Sequence, residues 1–145
     1  MLKVKNVMTT PVFCLRETDT LRSARTMMDL QRIRHIPIVG ADRTFIGLVT
    51  HRDILAATIS QLAGVDAVTQ DEIDSGIPIR EIMRTDVRTT APEADLKEAE
   101  TILLNQKYGC LPVADKGKLV GIITEADFLR LTISLLEALE TGEKP

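Results

Sequence analysis

Aromatic residues are nearly missing: there is no tryptophan, one tyrosine and three phenylalanines among 145 residues. Ile, Leu, Val, Met and Ala must therefore fill the interior, and a chain of this length can bury about 70% of its extended surface without staples. Cysteine is equally sparse. Cys14 and Cys110 stand in apolar, strand-like settings and form neither a C-x-x-C pair nor a dense framework, so they read as free thiols of a reducing compartment. Positive charge is not in excess: 18 Lys and Arg face 21 Asp and Glu, for a net charge of −3, with the signs interspersed. No broad electropositive surface results, which excludes a duplex nucleic-acid role. No basic segment leads into an apolar run at the start, and no apolar stretch approaches a bilayer span. The expectation is a cytoplasmic protein without a membrane partner.

Signatures of catalysis are also lacking. There is no Gly-x-Ser-x-Gly elbow, no Gly-x-x-x-x-Gly-Lys-Ser/Thr loop, and no cysteine with His and Asn or Asp at a familiar spacing. His35 and His51 fall short of the three or four converging ligands that a transition metal needs. The chain is expected not to be an enzyme, and to need no metal and no obligatory cofactor.

What the chain does have is a repeat. Displaced by 75 positions, Val7-Met8 falls on Ile82-Met83, Thr10 on Thr85, Val12 on Val87, Leu21 on Leu96, Ala24 on Ala99 and Pro37 on Pro112. After a one-residue deletion the displacement is 74, and Gly47-Leu48-Val49-Thr50-His51-Arg52-Asp53 falls on Gly121-Ile122-Ile123-Thr124-Glu125-Ala126-Asp127. Matches this long and collinear set the architecture before any single element is assigned.

Both copies share one grammar. In the first, residues 12–15 read as a short strand, and Asp19 or Thr20 opens a helix with Leu21, Ala24 and Met28 on one face, ending near Gln31. Strands at 35–39 and 45–49 form a hairpin, and a closing helix runs from about 51 toward 63. In the second, 88–90 is the strand, 95–106 the helix, 110–114 with 119–123 the hairpin, and the last helix is broadly apolar. Residues 64–78 are polar and turn-rich and read as a surface linker, leaving copies at 1–63 and 79–139 and a tail at 140–145. The fold class is α+β: tandem β-α-β-β-α units, each too small to cover its own sheet face, packed with pseudo-twofold symmetry.

Three paired marks make this pattern recognisable: Val7-Met8-Thr9 with Ile82-Met83-Arg84, Ile36-Pro37-Ile38-Val39 with Leu111-Pro112-Val113, and the two Gly-h-h-Thr-x-x-Asp segments, h being apolar. From about Val4 to Thr132 the chain resembles the CBS domain pair, or Bateman module. The resemblance implies a regulatory module that binds an adenosine-containing ligand (AMP, ADP, ATP, sometimes S-adenosylmethionine) and passes occupancy to a protein partner. It also implies site residues. One cleft would use Thr50 and Asp53 with Thr85 and Val87, the other Thr124 and Asp127 with Thr10 and Val12, Asp holding the ribose and Thr reaching the phosphate. Family pairs commonly form homodimers through helices, and the broad apolar arc of the last helix is read either as core or as such an interface.

Elementary chemistry supports those roles. A carboxylate has two acceptor oxygens suited to a vicinal diol, and a helix N-terminus favours a phosphate. Gly47 and Gly121 would let strand backbone approach a ligand closely. Yet Thr-x-x-Asp is also a helix capping box, and a cap alone explains any single copy. Recurrence at one phase of the repeat favours a ligand; a constitutive dimerisation scaffold with vestigial clefts, or an S-adenosylmethionine or NAD site, is the alternative. Tyr108 could stack on a base or simply pack, and His35 could reach the ligand edge. The first copy carries Arg52 where the second carries Ala126 beside Glu125, so the first site should tolerate more phosphate. Arg52→Ala is therefore expected to weaken ATP binding more than adenosine binding, measured by calorimetry; equal losses would remove Arg52 from phosphate recognition.

Overall fold

The computed structural model describes residues 2–59, 66–107 and 109–142. The far end of the first closing helix, Tyr108 and the end of the tail lie outside the described residues. The chain forms two compact units, Phe13–Val87 and Met1–Val12 with Arg88–Pro145. The lead at the head of each repeat thus folds in the unit that holds the other repeat's sheet.

Unit Phe13–Val87 contains β1 (Leu15–Arg16), α1 (Leu21–Gln31), β2 (His35–Val39), β3 (Phe45–Thr50), α2 (His51–Ile59) and α3 (Ala67–Ser75). Its sheet runs β1-β2-β3, parallel then antiparallel. Thr20 caps α1 by accepting the Ser23 N–H at 3.3 Å, and Arg32 ends the helix in the left-handed region at φ 54°. The helical stride of Leu21, Ala24 and Met28 buries those residues against Ile36, Ile38, Val49, Ile54 and Ile79.

The other unit contains α4 (Leu96–Asn105), β4 (Cys110–Asp115), β5 (Lys118–Thr124) and α5 (Glu125–Thr141). Asp95 caps α4, and β4 and β5 pair antiparallel. Val4 joins Leu96, Ala99, Leu103, Leu111, Val113 and Ile123 in a core without aromatic residues. The broad apolar arc of α5 resolves into two stripes. Phe128 and Leu131 pack on this core, while Leu129, Ile133, Leu136 and Leu139 are exposed.

Two expectations are corrected. The strands placed at 12–15 and 88–90 shrink to Leu15–Arg16 and to a single bridge between Thr90 and Val113. The cause is proline. In a parallel ladder each residue bonds the neighbours of its partner, as Thr90 does with the Pro112 carbonyl and the Ala114 N–H. One step earlier the carbonyl would need the N–H that Pro112, or Pro37 in the other unit, does not have. The linker expected at 64–78 is largely α3. Asp66 caps it by accepting the Thr69 N–H at 2.7 Å, and its buried Asp74 accepts from Arg25 Nε of α1 at 2.7 Å and Gln70 Nε2 at 2.8 Å. A polar sequence reads as a loop when its main tether is an ion pair 49 residues away in the chain.

Within each unit a lead segment lies across the last strand of the hairpin. Arg84 and Leu48 exchange both backbone hydrogen bonds, at 2.8 and 2.9 Å, and Thr9 and Ile122 do the same at 2.8 and 3.1 Å. Glycine is required beneath them. A Cβ on Gly47 would lie 2.7 Å from the Arg84 carbonyl, and one on Gly121 would lie 2.5 Å from Met8 Sδ. Gly47→Ala should therefore destabilise by about 1–3 kcal/mol, and Gly121→Ala by less, because a thioether can swing aside and a bridged carbonyl cannot. Thermal denaturation of the two variants checks this, and equal losses would contradict it.

Both cysteines are free, Cys14 half-buried and Cys110 buried. Burial pushes the Cys110 thiol up to about 12 from an ordinary 9.0. Between those values the folded chain holds a proton that the unfolded chain has lost. This contribution to stability is present in full below pH 9 and is lost as pH rises toward 12. Cys110→Ala should flatten the alkaline side of the stability–pH curve, measured by denaturant titration between pH 8 and 10; an unchanged slope would count against the shift.

Candidate functional site

The ends of β3 and β5 deliver a Thr-x-x-Asp step to the first turn of α2 and α5. In the first, Asp53 Oδ2 accepts the Thr50 N–H and the Thr50 hydroxyl, both at 2.9 Å, while the Asp53 N–H reaches Thr50 Oγ1 at 3.3 Å. This is a reciprocal cap that satisfies orphan donors at the helix start. The lead segment adds a guanidinium: Arg84 Nη2 and Nε lie 2.9 and 3.1 Å from Asp53 Oδ1, and Nε also lies 3.3 Å from Oδ2.

The second step is built on the same plan with different parts. Asp127 Oδ2 accepts the Thr124 N–H at 2.9 Å and the Thr124 hydroxyl at 3.4 Å. Its Oδ1 accepts the Thr9 hydroxyl at 2.8 Å and Arg130 Nη2 at 2.6 Å. Asp127 is buried, and Asp53 nearly so. At the repeat displacement Thr9 corresponds to Arg84, and Ala56 corresponds to Arg130. The arginine has changed place: it comes from the lead segment in one unit and from the next turn of the helix in the other.

Of the residues singled out from sequence, Thr50 and Asp53 are joined directly, as are Thr124 and Asp127. Thr85 and Thr10 follow immediately on the bridged Arg84 and Thr9 and are exposed; Val87 and Val12 lie two residues further on and are half-buried. Arg52 is exposed on the first turn of α2, and His35 starts β2 in register with Thr50. The closest neighbour of each of the two recurrent glycines, Gly47 and Gly121, is not open space awaiting a ligand, as the sequence suggested, but the chain's own lead segment. Arg84, Thr9 and Arg130 were not among the expected site residues. The first two are visible in sequence only as repeat marks. Arg130 carried one signal, an Asp-x-x-Arg spacing that puts both side chains on one helix face.

With about four acceptor directions each, both carboxylates are fully engaged. Each carboxylate stands at a helix start with a hydroxyl and an arginine beside it: an acceptor for a diol, and positive charge for an anion at the helix mouth. Among the described residues, no group of three His, Cys, Asp or Glu converges as a metal site would need, and no helix is long and apolar enough to cross a membrane.

Comparison with known proteins agrees with this construction. The CBS domain model matches residues 4–60 and 79–134. A Vibrio cholerae protein described as the acetoin utilization protein AcuB is 41% identical, with a TM-score of 0.83 over 100% of this chain and 99% of that one. Arabidopsis thaliana CBSX2, solved with AMP, is 22% identical, with a TM-score of 0.77 over 93% of this chain and 98% of its own. The CBS domain pair of MJ0100, solved with 5'-methylthioadenosine and S-adenosyl-L-methionine, is 23% identical, with a TM-score of 0.75 over 92% and 98%. At that identity these two share the fold alone. The chain spans 15% of the length of the A-adding tRNA nucleotidyltransferase of Aquifex aeolicus, 42% of MJ1225 of Methanocaldococcus jannaschii and 83% of YhcV of Bacillus subtilis, at 28, 29 and 30% identity. The matched segments take in both leads, both hairpins and both Thr-x-x-Asp steps, and the chain belongs to the CBS domain family, carrying two of its repeats.

Proposed function

We propose that this chain is a regulatory module that binds an adenosine-containing ligand at its Thr-x-x-Asp steps and signals occupancy to a protein partner. The observation that carries the reading is the placement of a nearly buried carboxylate at a helix mouth, with a hydroxyl beside it and an arginine on it, in both units. Asp53 and Asp127 hold the ribose hydroxyls. Thr50 and Thr124 hold those carboxylates in place at the helix starts, the helix starts face the phosphate, and Arg52 adds a cation at the first site. Thr85 with Val87, and Thr10 with Val12, line the base from the lead segments; His35 stands at the edge of the first site. AMP, ADP or ATP is the ligand, in line with the AMP and S-adenosyl compounds that two fold neighbours hold.

The module works without catalysis or an obligatory cofactor, in the cytoplasm, as a homodimer in which the exposed stripe Leu129, Ile133, Leu136 meets its copy. Regulation requires that ligand favour one arrangement over another. One observation favours the rival reading, a scaffold with vestigial sites: both carboxylates already have every acceptor in use.

A thermal-shift panel of AMP, ADP, ATP and S-adenosylmethionine on ligand-stripped protein separates the two. At a hundredfold excess over Kd a ligand specific for the native state adds about 2.7 kcal/mol, or roughly 5–10 °C for a chain of this size. A shift of that order with at least one member is expected, and no shift with any would leave the scaffold.

A further inference from the structure

We propose that Arg84 and Arg130 are exchangeable latches, each occupying its carboxylate until a ribose takes its place and then turning to the ligand's phosphate, so that they set the preference for a nucleotide over the bare nucleoside. The inference rests on the adenosine-site reading above and adds residues and a selectivity that it does not contain.

Hydrogen-bond capacity is the first argument. Two of the directions on each Asp are used by the cap itself, from the N–H and hydroxyl of Thr50 or Thr124. The cap cannot be surrendered without opening the helix start, so a diol bringing two donors must displace what remains. On Asp53 that is the Arg84 guanidinium, and on Asp127 it is Arg130 together with the Thr9 hydroxyl.

Exposure is the second. The two pairs are lopsided: the Asp53 and Asp127 side chains are 13% and 3% exposed, and their arginines 46% and 67%. A half-solvated guanidinium leaves its partner at little cost, whereas a buried carboxylate cannot be left bare. Departure moves no backbone in the first site, because the Arg84 N–H and carbonyl stay bonded to Leu48.

The third is the change of place between repeats. A contact kept only for packing would recur at the same two positions. Here Thr9 stands where Arg84 does and Ala56 where Arg130 does, yet each carboxylate still meets one arginine. What recurs is a movable cation on the carboxylate, not a side chain at a position. A displaced arginine keeps its charge, and the nearest new anion is the phosphate of the ligand that displaced it.

Calorimetric titration of adenosine and AMP into the unmodified chain, Arg84→Ala, Arg130→Ala, the double variant and Arg84→Lys tests this. Removing a latch should tighten adenosine at its site about two- to fivefold, by deleting a competitor, and weaken AMP about tenfold. The double variant should show this at both sites. Arg84→Lys, which keeps the charge without the two-pronged grip, should tighten adenosine while retaining the AMP preference, and it covers the case in which Arg84→Ala does not fold. Adenosine and AMP weakening in parallel, or adenosine binding no tighter in Arg84→Lys, would overturn the latch and leave the adenosine site standing. Failure of the unmodified chain to bind either ligand would overturn both.

Discussion

Asp53 and Asp127 each accept the N–H of the threonine three residues before them, and through that bond a strand end, a helix start and a lead segment are held together. A cap of this kind contributes about 0.5–2 kcal/mol to its helix. Here it does more, because the carboxylate also receives a side chain from outside the helix turn, Arg84 in one unit and Thr9 in the other. Those side chains sit on lead segments that are bridged to the strand feeding the same helix, at Leu48 and Ile122. Carboxylate, strand and lead thus form a closed circuit. Its tightest point is the glycine under the lead, where any side chain would collide.

The sequence displays this circuit unevenly. The hairpins, the helices at Leu21 and Leu96, and the two capping steps are legible because their signals are local: an apolar stride, a cap residue, a glycine at a recurrent phase. The short parallel strands are misjudged because their length is decided by Pro37 and Pro112 on the neighbouring strand rather than by their own residues. α3 is missed because Asp74 reads as one more surface acid until Arg25 is brought to it. Gly47 and Gly121 are correctly marked as places of close approach, but what approaches is the chain itself. The cations are the largest omission. Arg84 lies 31 residues from Asp53, and no spacing rule connects them.

The two units also show how a duplicated design drifts without losing its electrostatics. The sequence suggests a first site richer in positive charge, through Arg52 against Ala126 and Glu125. Arg84 adds a cation to the first site and Arg130 one to the second, so the difference along the matched segments is kept although the two arginines come from different elements. Position within a repeat is a weak guide to charge at a site when a helix turn and a lead segment converge on one atom. Geometry, not alignment, decides which residues are equivalent.

A permanently capped, purely structural carboxylate would be expected to hide its counter-charge as well, since solvent weakens an exposed ion pair toward nothing. Both pairs here do the reverse, burying the anion and leaving the cation in water. Such a pair is poorly suited to adding stability and well suited to exchange. The anion must always be satisfied, but its partner is only loosely retained. On the proposed reading, a diol offering two hydroxyl donors takes over the hydrogen bonds of the guanidinium, which gives the carboxylate a second way to be bonded, supplied by a ligand. Regulation by binding needs two states close in free energy that a ligand can tell apart. The lopsided burial of Asp53 and Asp127 against their arginines is the feature of this fold that would place those states within reach of each other.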